Sequence, residues 1–285
     1  TYGFYTKANA AVSKHIFSFN LNGFYNKSLA EMTMYPNDPN QPAMFMYTWP
    51  DIRTFYSGVF AKDNFRFNQN ETLTASLRLG YHNNKIAKEE GLESLRIFYP
   101  EIQDTNHRFL KSLSTNYVYK KPTYDFSFGL GYGERAPSVS EGYGFFLFNS
   151  FDNFDYIGNP TLKNEKALEG NINANYHKNN FHLGIEVSYF YIMDYIIGEI
   201  DESVSPMTIG ANGVKLYTAL SNANIFDVYL NTSYKFSNAL SINGTVGYNY
   251  GNGSNNENLP LIKPFSYIAE LNYGTSSFNA ALQFE

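Results

Sequence analysis

Four methionines stand in one short stretch of the chain, and they are the residues whose type and spacing offer the clearest chemistry. Met32 and Met34 form one Met-x-Met pair and Met44 and Met46 form another, in a chain with six methionines. A thioether sulfur is a soft ligand that suits Cu(I). The spacing therefore predicts a copper site in the connection 28–50. The same methionines could instead pack this loop onto its neighbours, and the sequence leaves both interpretations open.

A second candidate group is aromatic and lies in the connection 135–163. Side chains of this kind could line a vestibule for a ligand. They could equally cover the end of a sheet or anchor it at a membrane interface, where aromatic residues are favoured. The candidate ligand-binding residues are Phe145, Phe146, Phe148, Phe151 and Tyr156.

Patterns for covalent catalysis are missing from the sequence. Gly129, Gly131 and Gly133 alternate along a predicted strand that no helix follows, so they do not form a phosphate-binding loop. Serine, histidine and aspartate occur without the strand–turn–helix elbow of a nucleophile. The chain has no cysteine, which excludes disulfides, cysteine-ligated zinc and iron–sulfur clusters. We predict that the protein is not an enzyme and holds no cofactor, although it could transport a metal.

Composition indicates a membrane rather than nucleic acid as the environment. The 21 basic and 26 acidic residues give a net charge of −5, which argues against a nucleic-acid binder. Charged residues make up 16% of the chain and aromatic residues 18%, whereas soluble domains are about 25% charged. Mean hydropathy is only −0.37, and no run approaches the ~18 apolar residues of a membrane helix. This combination is typical of a sheet with one face in lipid and the other in water.

Apolar residues recur at every second position, a pattern that predicts strands. In the clearest segments, such as 73–81 and 124–132, the apolar phase carries no charge. This matters because an arginine or lysine that faces lipid at mid-membrane costs about 2–4 kcal/mol. Twelve strands are predicted, near 1–11, 15–27, 51–67, 71–83, 105–119, 124–134, 164–177, 181–197, 215–236, 240–251, 265–274 and 277–285.

The predicted connectors alternate strictly in length. Ten of the eleven prolines lie in or at the edge of long connectors and Pro122 lies in a short turn, as expected because proline is excluded from central strands. Short turns at one rim and long loops at the other are the architecture of an outer-membrane barrel. We therefore predict an all-β fold, an antiparallel transmembrane β-barrel. The long connectors are 28–50, 84–104, 135–163, 198–214 and 252–264.

Three sequence elements occur in the order known from one family. Gly131–Glu141 contains Arg-Ala-Pro-Ser, Gly158–Glu165 begins Gly-Asn-Pro-Thr-Leu, and Leu259–Pro264 reads Leu-Pro-Leu-Ile-Lys-Pro. Through these three elements the chain resembles the TonB-dependent outer-membrane receptors. The signature residues are Arg135, Pro137, Glu141, Gly158, Asn159, Pro160 and Glu165. We expect them to shape a loop, with Arg135 paired to Glu141 or Glu165 inside the barrel.

The resemblance implies a barrel of about 22 strands that encloses a plug domain. Residues 1–285 would then form a single barrel domain with about twelve of those strands, incomplete at both ends and without the plug. It also implies import of a scarce nutrient across the bacterial outer membrane, with energy relayed by TonB. Metal ions or metal chelates are the favoured substrates, copper among them.

The expected partners are outer-membrane lipid, the TonB complex, which acts through the plug, and, as an open alternative, a surface lipoprotein. A passive porin or channel is the main rival function, and it predicts conductance by this chain alone. An outer-membrane enzyme would need catalytic groups at the loop rim. A soluble adhesin would stay in solution without detergent.

Overall fold

The alternation of apolar and polar side chains produces strands along most of the chain. The computed structural model describes residues 1–35, 40, 42–263 and 265–285. Pro264, the last residue of the third sequence element, lies outside the described residues, as do 36–39 and 41 of the predicted connection 28–50. In chain order the elements are β1 (Tyr2–Val12), β2 (His15–Met34), β3 (Met44–Arg66), β4 (Glu71–Ile86), α1 (Glu89–Arg96), β5 (Thr105–Lys120), β6 (Tyr124–Arg135), α2 (Val139–Tyr143), β7 (Leu147–Asn149), β8 (Phe154–Ile157), β9 (Glu165–Lys178), β10 (Phe181–Ile200), β11 (Val214–Lys235), β12 (Leu240–Gly253), β13 (Phe265–Gly274) and β14 (Asn279–Phe284).

The principal strands pair in the order in which they occur along the chain. That order is β1-β2-β3-β4-β5-β6-β9-β10-β11-β12-β13-β14, and each neighbouring pair is antiparallel. The predicted all-β antiparallel fold is therefore confirmed. The short strands β7 and β8 pair with each other in a connection, and β8 also runs parallel to β11. Within the described residues, β1 and β14 occupy the two ends of the strand order and do not pair together.

One face of the sheet is apolar, and among the described residues no other part of the chain packs over it. On β5, Phe109 and Leu113 are 69% and 59% exposed. They lie directly opposite Tyr81 and Leu77 of β4. Because opposite residues of paired strands share a face, these side chains belong to one continuous surface. In water a surface of this kind would promote aggregation, whereas lipid would cover it.

The connections alternate between short and long, as the sequence predicts. We use the terms short-turn end and long-loop end for the two edges of the sheet at which they lie. The short connections are 13–14, 67–70, 121–123, 179–180, 236–239 and 275–278, and the long ones are 35–43, 87–104, 136–164, 201–213 and 254–264.

The prediction of a loop over 28–50 is wrong for most of its length. Strand β2 continues to Met34 and β3 begins at Met44. Pro50 lies within β3, next to Asp51, which has a φ of 51°. The register of β2 against β3 shifts opposite this point, as in a β-bulge. Proline has no N–H to donate to the neighbouring strand, and a bulge tolerates this missing hydrogen bond. The extra residue also reverses the alternation of apolar and polar side chains beyond it. The sequence pattern therefore does not predict this part of the strand.

Most of the buried apolar core lies at the long-loop end, where α1 and α2 were not predicted. Gly91 of α1 lies against the ring of Pro50, and a Cβ at this position would overlap the proline Cβ. The helix therefore contacts β3 at very short range. We call the larger group of buried residues at this end the loop core. It consists of Met46, Ile52, Ile86, Leu92, Leu95, Ile102, Tyr143, Phe145, Phe146, Ile157 and Val214.

Candidate functional site

Arg135 at the end of β6 joins two carboxylates from different parts of the chain. Its Nε and Nη2 donate hydrogen bonds to Glu165 at 2.8 and 3.0 Å. Its Nη1 and Nη2 donate to Glu141 at 2.8 and 3.1 Å. A guanidinium that binds each carboxylate with two hydrogen bonds fixes orientation strongly. The structure thus pairs Arg135 with both glutamates, and the cluster joins β6 to α2 and β9.

Glu141 also takes part in the N-terminal cap of α2, whose N-cap residue is Ser138. The backbone N–H of Ser138 donates to Glu141 Oε2 at 2.6 Å, and the backbone N–H of Glu141 donates to Ser138 Oγ at 3.2 Å. This reciprocal arrangement is a capping box. Pro137, the signature proline, is buried immediately before it. The Ser-x-x-Glu spacing was visible in the sequence and would have predicted the start of this helix.

The second signature element packs against α2 through its backbone. Gly158 N–H donates to the carbonyl of Gly144 at 2.7 Å, and Asn159 N–H donates to the carbonyl of Glu141 at 2.8 Å. A Cβ at Gly158 would lie 2.5 Å from the backbone nitrogen of Tyr143. The approach is therefore too close for any residue but glycine unless the backbone moves.

Two residues that the sequence did not indicate hold this loop to β5. Asn106 Nδ2 donates to the carbonyl of Pro160, a buried signature residue, at 3.0 Å. Arg108 donates to the carbonyl of Leu162 at 2.6 Å and to Asn164 Oδ1 at 3.2 Å. The partners are separated by 54 to 56 residues in the chain. No local pattern could therefore have predicted these contacts.

The electrostatics of the cluster favour the charged forms of Arg135 and Glu141. Burial alone would raise the pKa of Glu141, but the hydrogen bonds from Arg135 and Ser138 outweigh it, and the pKa lies below its ordinary value. An arginine guanidinium stays protonated in proteins, so Arg135 supplies a permanent positive charge to both glutamates. The pair is therefore a charged brace for the loop.

The four candidate methionines lie on paired strands rather than in an irregular loop. Met32 faces Met46, and Met34 faces Met44, in the register of β2 against β3. Side chains directly opposite each other share a face, with Cβ atoms about 4.5–5.5 Å apart. The four thioethers therefore form a two-by-two group, which we call the methionine ladder.

The methionine ladder extends from an exposed position towards the loop core. Met44 is 50% exposed, whereas Met46 is 8% exposed and belongs to the loop core. Met32 and Met34 are partly buried and pack against the same core, as does Met207 from the connection 201–213. The described residues contain no group of three or more His, Cys, Asp or Glu side chains that could hold a metal ion.

The structure divides the aromatic candidates into two sets. Phe145 and Phe146 are only 6% and 4% exposed, and their rings contact edge to face with centroids 5.1 Å apart. They belong to the loop core and are not at an exposed loop tip. Phe148 and Phe151 are 39% and 76% exposed. The second set is therefore the more accessible to a molecule that approaches the long-loop end.

Tyr156, the fifth aromatic candidate, has an internal partner for its hydroxyl group. The hydroxyl donates to Asp152 Oδ2 at 2.6 Å, and Lys215 Nζ donates to the same oxygen at 2.7 Å. The Lys215 ammonium also lies 4.4 Å from the ring centre of Phe154, a cation–π distance. Sequence reasoning missed Asp152 and Lys215, because 63 residues separate them.

Several solved transport proteins share this fold. The copper transporter OprC gives a TM-score of 0.79 at 18% identity, over 98% of this chain and 41% of that chain. The FrpB iron transporter from Neisseria meningitidis (F3-3 variant) gives 0.60 at 12% identity, over 99% and 42%. A double mutant of the Serratia marcescens hemophore receptor HasR, in complex with its hemophore HasA and heme, gives 0.63 at 13% identity, over 98% and 50%. The chain thus spans between about two fifths and one half of these proteins.

A family model accounts for almost the whole sequence. No curated protein matches the chain. Neither of the two helices in the described residues has the length and apolar composition needed to cross a membrane. The model of the TonB dependent receptor-like beta-barrel matches residues 1–284. The chain therefore belongs to the TonB-dependent receptor-like β-barrel family.

Proposed function

We propose that the protein is an active importer of the bacterial outer membrane and that Cu(I) is its substrate. Membership of the receptor family supports import. The methionine ladder is the observation that carries the choice of substrate. In this proposal residues 1–285 supply one barrel domain and a plug domain comes from outside them. TonB supplies the energy through that plug.

The chemistry of the ladder suits a soft, singly charged ion. Neutral thioethers bind Cu(I) well, whereas Mg²⁺ and Ca²⁺ require oxygen ligands. The apolar side chains around Met46 disfavour a strongly hydrated cation, because the ion would have to lose its water without gaining anionic partners. Resemblance to the copper transporter OprC supports the same choice.

The gradient of burial gives the ladder a direction. Met44 would receive the ion at the surface of the long-loop end, and Met46 would present sulfur beside the loop core. Movement between adjacent sulfur atoms then needs only an exchange of ligands of the same kind. The barrel performs no covalent reaction in this scheme.

Copper content tests the proposal directly. Methionine-to-leucine substitution at all four ladder positions removes the sulfur atoms and nearly conserves side-chain volume. The whole receptor, purified in detergent under reducing conditions, should bind Cu(I) in the wild type and lose it in this variant. Met193→Leu, on β10 outside the ladder, is the matched control and should retain the wild-type content.

The outcome separates the two interpretations of the methionines. If the four-fold variant folds and binds as much Cu(I) as the control, the ladder packs the loop and copper is not its ligand. Uptake of labelled copper by cells with and without TonB then tests import itself. Uptake that does not depend on TonB would contradict active transport and favour a passive channel.

A further inference from the structure

Three basic residues form a row on the apolar face of the sheet, near its long-loop end. Lys27 of β2 lies directly opposite Arg53 of β3, and Arg53 lies directly opposite Lys85 of β4. Neighbouring strands are about 4.8 Å apart, so the row is about 10 Å wide. The side chains are 53%, 49% and 54% exposed. We call them the basic row.

The two carboxylates near the row leave most of its donors available. Asp51 Oδ2 lies 3.4 Å from Lys27 Nζ and 3.6 Å from Arg53 Nη2, and Asp104 Oδ2 lies 3.6 Å from Lys85 Nζ. Charge-assisted hydrogen bonds are shorter, about 2.7–2.9 Å. Asp51 is only 6% exposed and serves two cations. The surface of the row is therefore positive.

On the same face, the rows from the basic row towards the short-turn end are first aromatic and then aliphatic. Tyr25 lies opposite Phe55 in the next row, and Leu21 lies opposite Val59 two rows further on. Alternate residues of a strand share a face, so these side chains are continuous with the row. Tyrosine and phenylalanine are favoured at the boundary between headgroups and acyl chains. The basic row is thus at headgroup level.

Strand β3 forms a trough on this face beyond Phe55, the aromatic residue that follows Arg53. Its residues on this face are Ser57, Val59 and Ala61, and the flanking strands carry larger side chains except at Gly23, opposite Ser57. Two grooves of about 480 and 410 Å³ occupy the trough. At about 3.3 Å per residue, the stretch 57–61 is about 13 Å long, a length that fits an acyl chain. Lys111 lines the second groove in the row of Val59 and Leu79, apart from the basic row.

We propose that the basic row and the trough bind one lipid that carries a phosphomonoester headgroup. The phosphate would lie across Lys27, Arg53 and Lys85, and an acyl chain would lie along β3. Three adjacent cations match a doubly charged phosphate better than a zwitterionic headgroup. The inference rests on insertion of the apolar face in a membrane and is independent of the imported substrate.

Native mass spectrometry of the whole receptor in detergent tests this site with dioleoyl phosphatidic acid as the probe. Substitution of Lys27, Arg53 and Lys85 by glutamine should weaken the binding of phosphatidic acid about 100-fold. This estimate follows because each charge contributes about 1 kcal/mol to the binding free energy. The control variant removes the same number of charges at the short-turn end, through glutamine at Lys120, Lys178 and Lys235. It should bind as the wild type does. Dioleoyl phosphatidylcholine should bind both variants and the wild type equally weakly.

Two further variants keep the test decisive if the three-fold variant does not fold. If the three-fold variant does not fold, Arg53→Gln alone should weaken binding about fivefold, because it removes the central charge. Ala61→Trp should fill the trough and weaken the binding of phosphatidic acid without changing the basic row.

Equal binding by the three-fold variant and its control would overturn the proposal. Competition by inorganic phosphate as strong as that by the lipid would also overturn it, since the trough would then contribute nothing. Copper uptake by the three-fold variant should stay normal, so a failure here is distinct from a failure of the importer proposal.

Discussion

At the scale of single residues, Glu141 performs two tasks with one carboxylate. It caps α2 through Ser138 and receives two hydrogen bonds from Arg135. Its backbone carbonyl also accepts from Asn159. The order of the connection 136–164 therefore depends on the charge of one side chain, which is largely buried.

Protonation of Glu141 should loosen this connection. Its pKa in the folded state is depressed, because the bonds from Arg135 and Ser138 outweigh the effect of burial. A group of this kind stabilises fully above its unfolded pKa of about 4.3, and the contribution is lost as pH falls through the lower folded value. Hydrogen exchange in 136–164, corrected for its intrinsic pH dependence, should therefore accelerate below about pH 4.

Glu141→Gln provides the control for this prediction. Glutamine can still accept from Ser138 but carries no charge for Arg135 and does not titrate. Exchange should be faster than in the wild type at pH 7, and its acid-dependent step should be smaller. An equal acid step in both proteins would assign it to another group.

At the scale of elements, the packing of α1 depends on the absence of one side chain. Gly91 contacts the ring of Pro50, where β3 is bulged, whereas a Cβ at Gly142 of α2 would meet no atom within 4 Å. Glycine-to-alanine substitution within a helix ordinarily stabilises by up to about 1 kcal/mol. The two glycines should therefore respond in opposite directions.

Gly91→Ala should destabilise the long-loop end, and Gly142→Ala should leave it unchanged or more stable. The added methyl group at position 91 must displace α1 from β3, because a proline ring cannot move aside. Overpacking of this kind costs about 1–3 kcal/mol. The rate of proteolytic cleavage within 87–104, measured in native membranes, should rise for the first variant only. Equal rates would mean that α1 has no fixed position against Pro50.

The elements also mark the limit of what sequence could predict. Alternation identified the principal strands, because each has one face in lipid and the other in a polar environment. It failed where Pro50 and the bulge change the phase, and so the methionines were assigned to a loop. The sequence also did not predict that Phe145 and Phe146 are buried. An aromatic residue in a loop has the same sequence pattern whether it is exposed or buried.

The candidate site was predictable to a different degree in each part. The motifs identified Arg135 and its two possible carboxylates, and the structure uses both. Asn106, Arg108 and Lys215 were not identified, because their partners are distant in the chain and no periodic pattern links them. Local signals predict elements, whereas contacts between loops depend on the fold that brings them together.

At the scale of the whole molecule, the two faces of the sheet must meet different solvents. Leu113 lies on the apolar face of β5, four residues from Phe109 on one side and from Tyr117 on the other. These two aromatic residues match the girdles at either edge of an apolar band about 25 Å tall. Leu113 is therefore expected near mid-membrane, whereas Lys111 lies closer to Phe109 and can extend its long side chain to the edge of the band. Asn116 of the same strand lies on the opposite, polar face.

Leu113→Lys and Asn116→Lys should consequently differ in their effects on assembly. A lysine in lipid near mid-membrane costs about 2–4 kcal/mol, whereas a lysine on the polar face costs little. Folded receptor in isolated membranes, detected by its faster migration before heating, should fall sharply for Leu113→Lys and remain near normal for Asn116→Lys. Equal amounts of both variants would contradict a lipid environment for the apolar face. The importer proposal and the lipid site would then lose the membrane on which both depend.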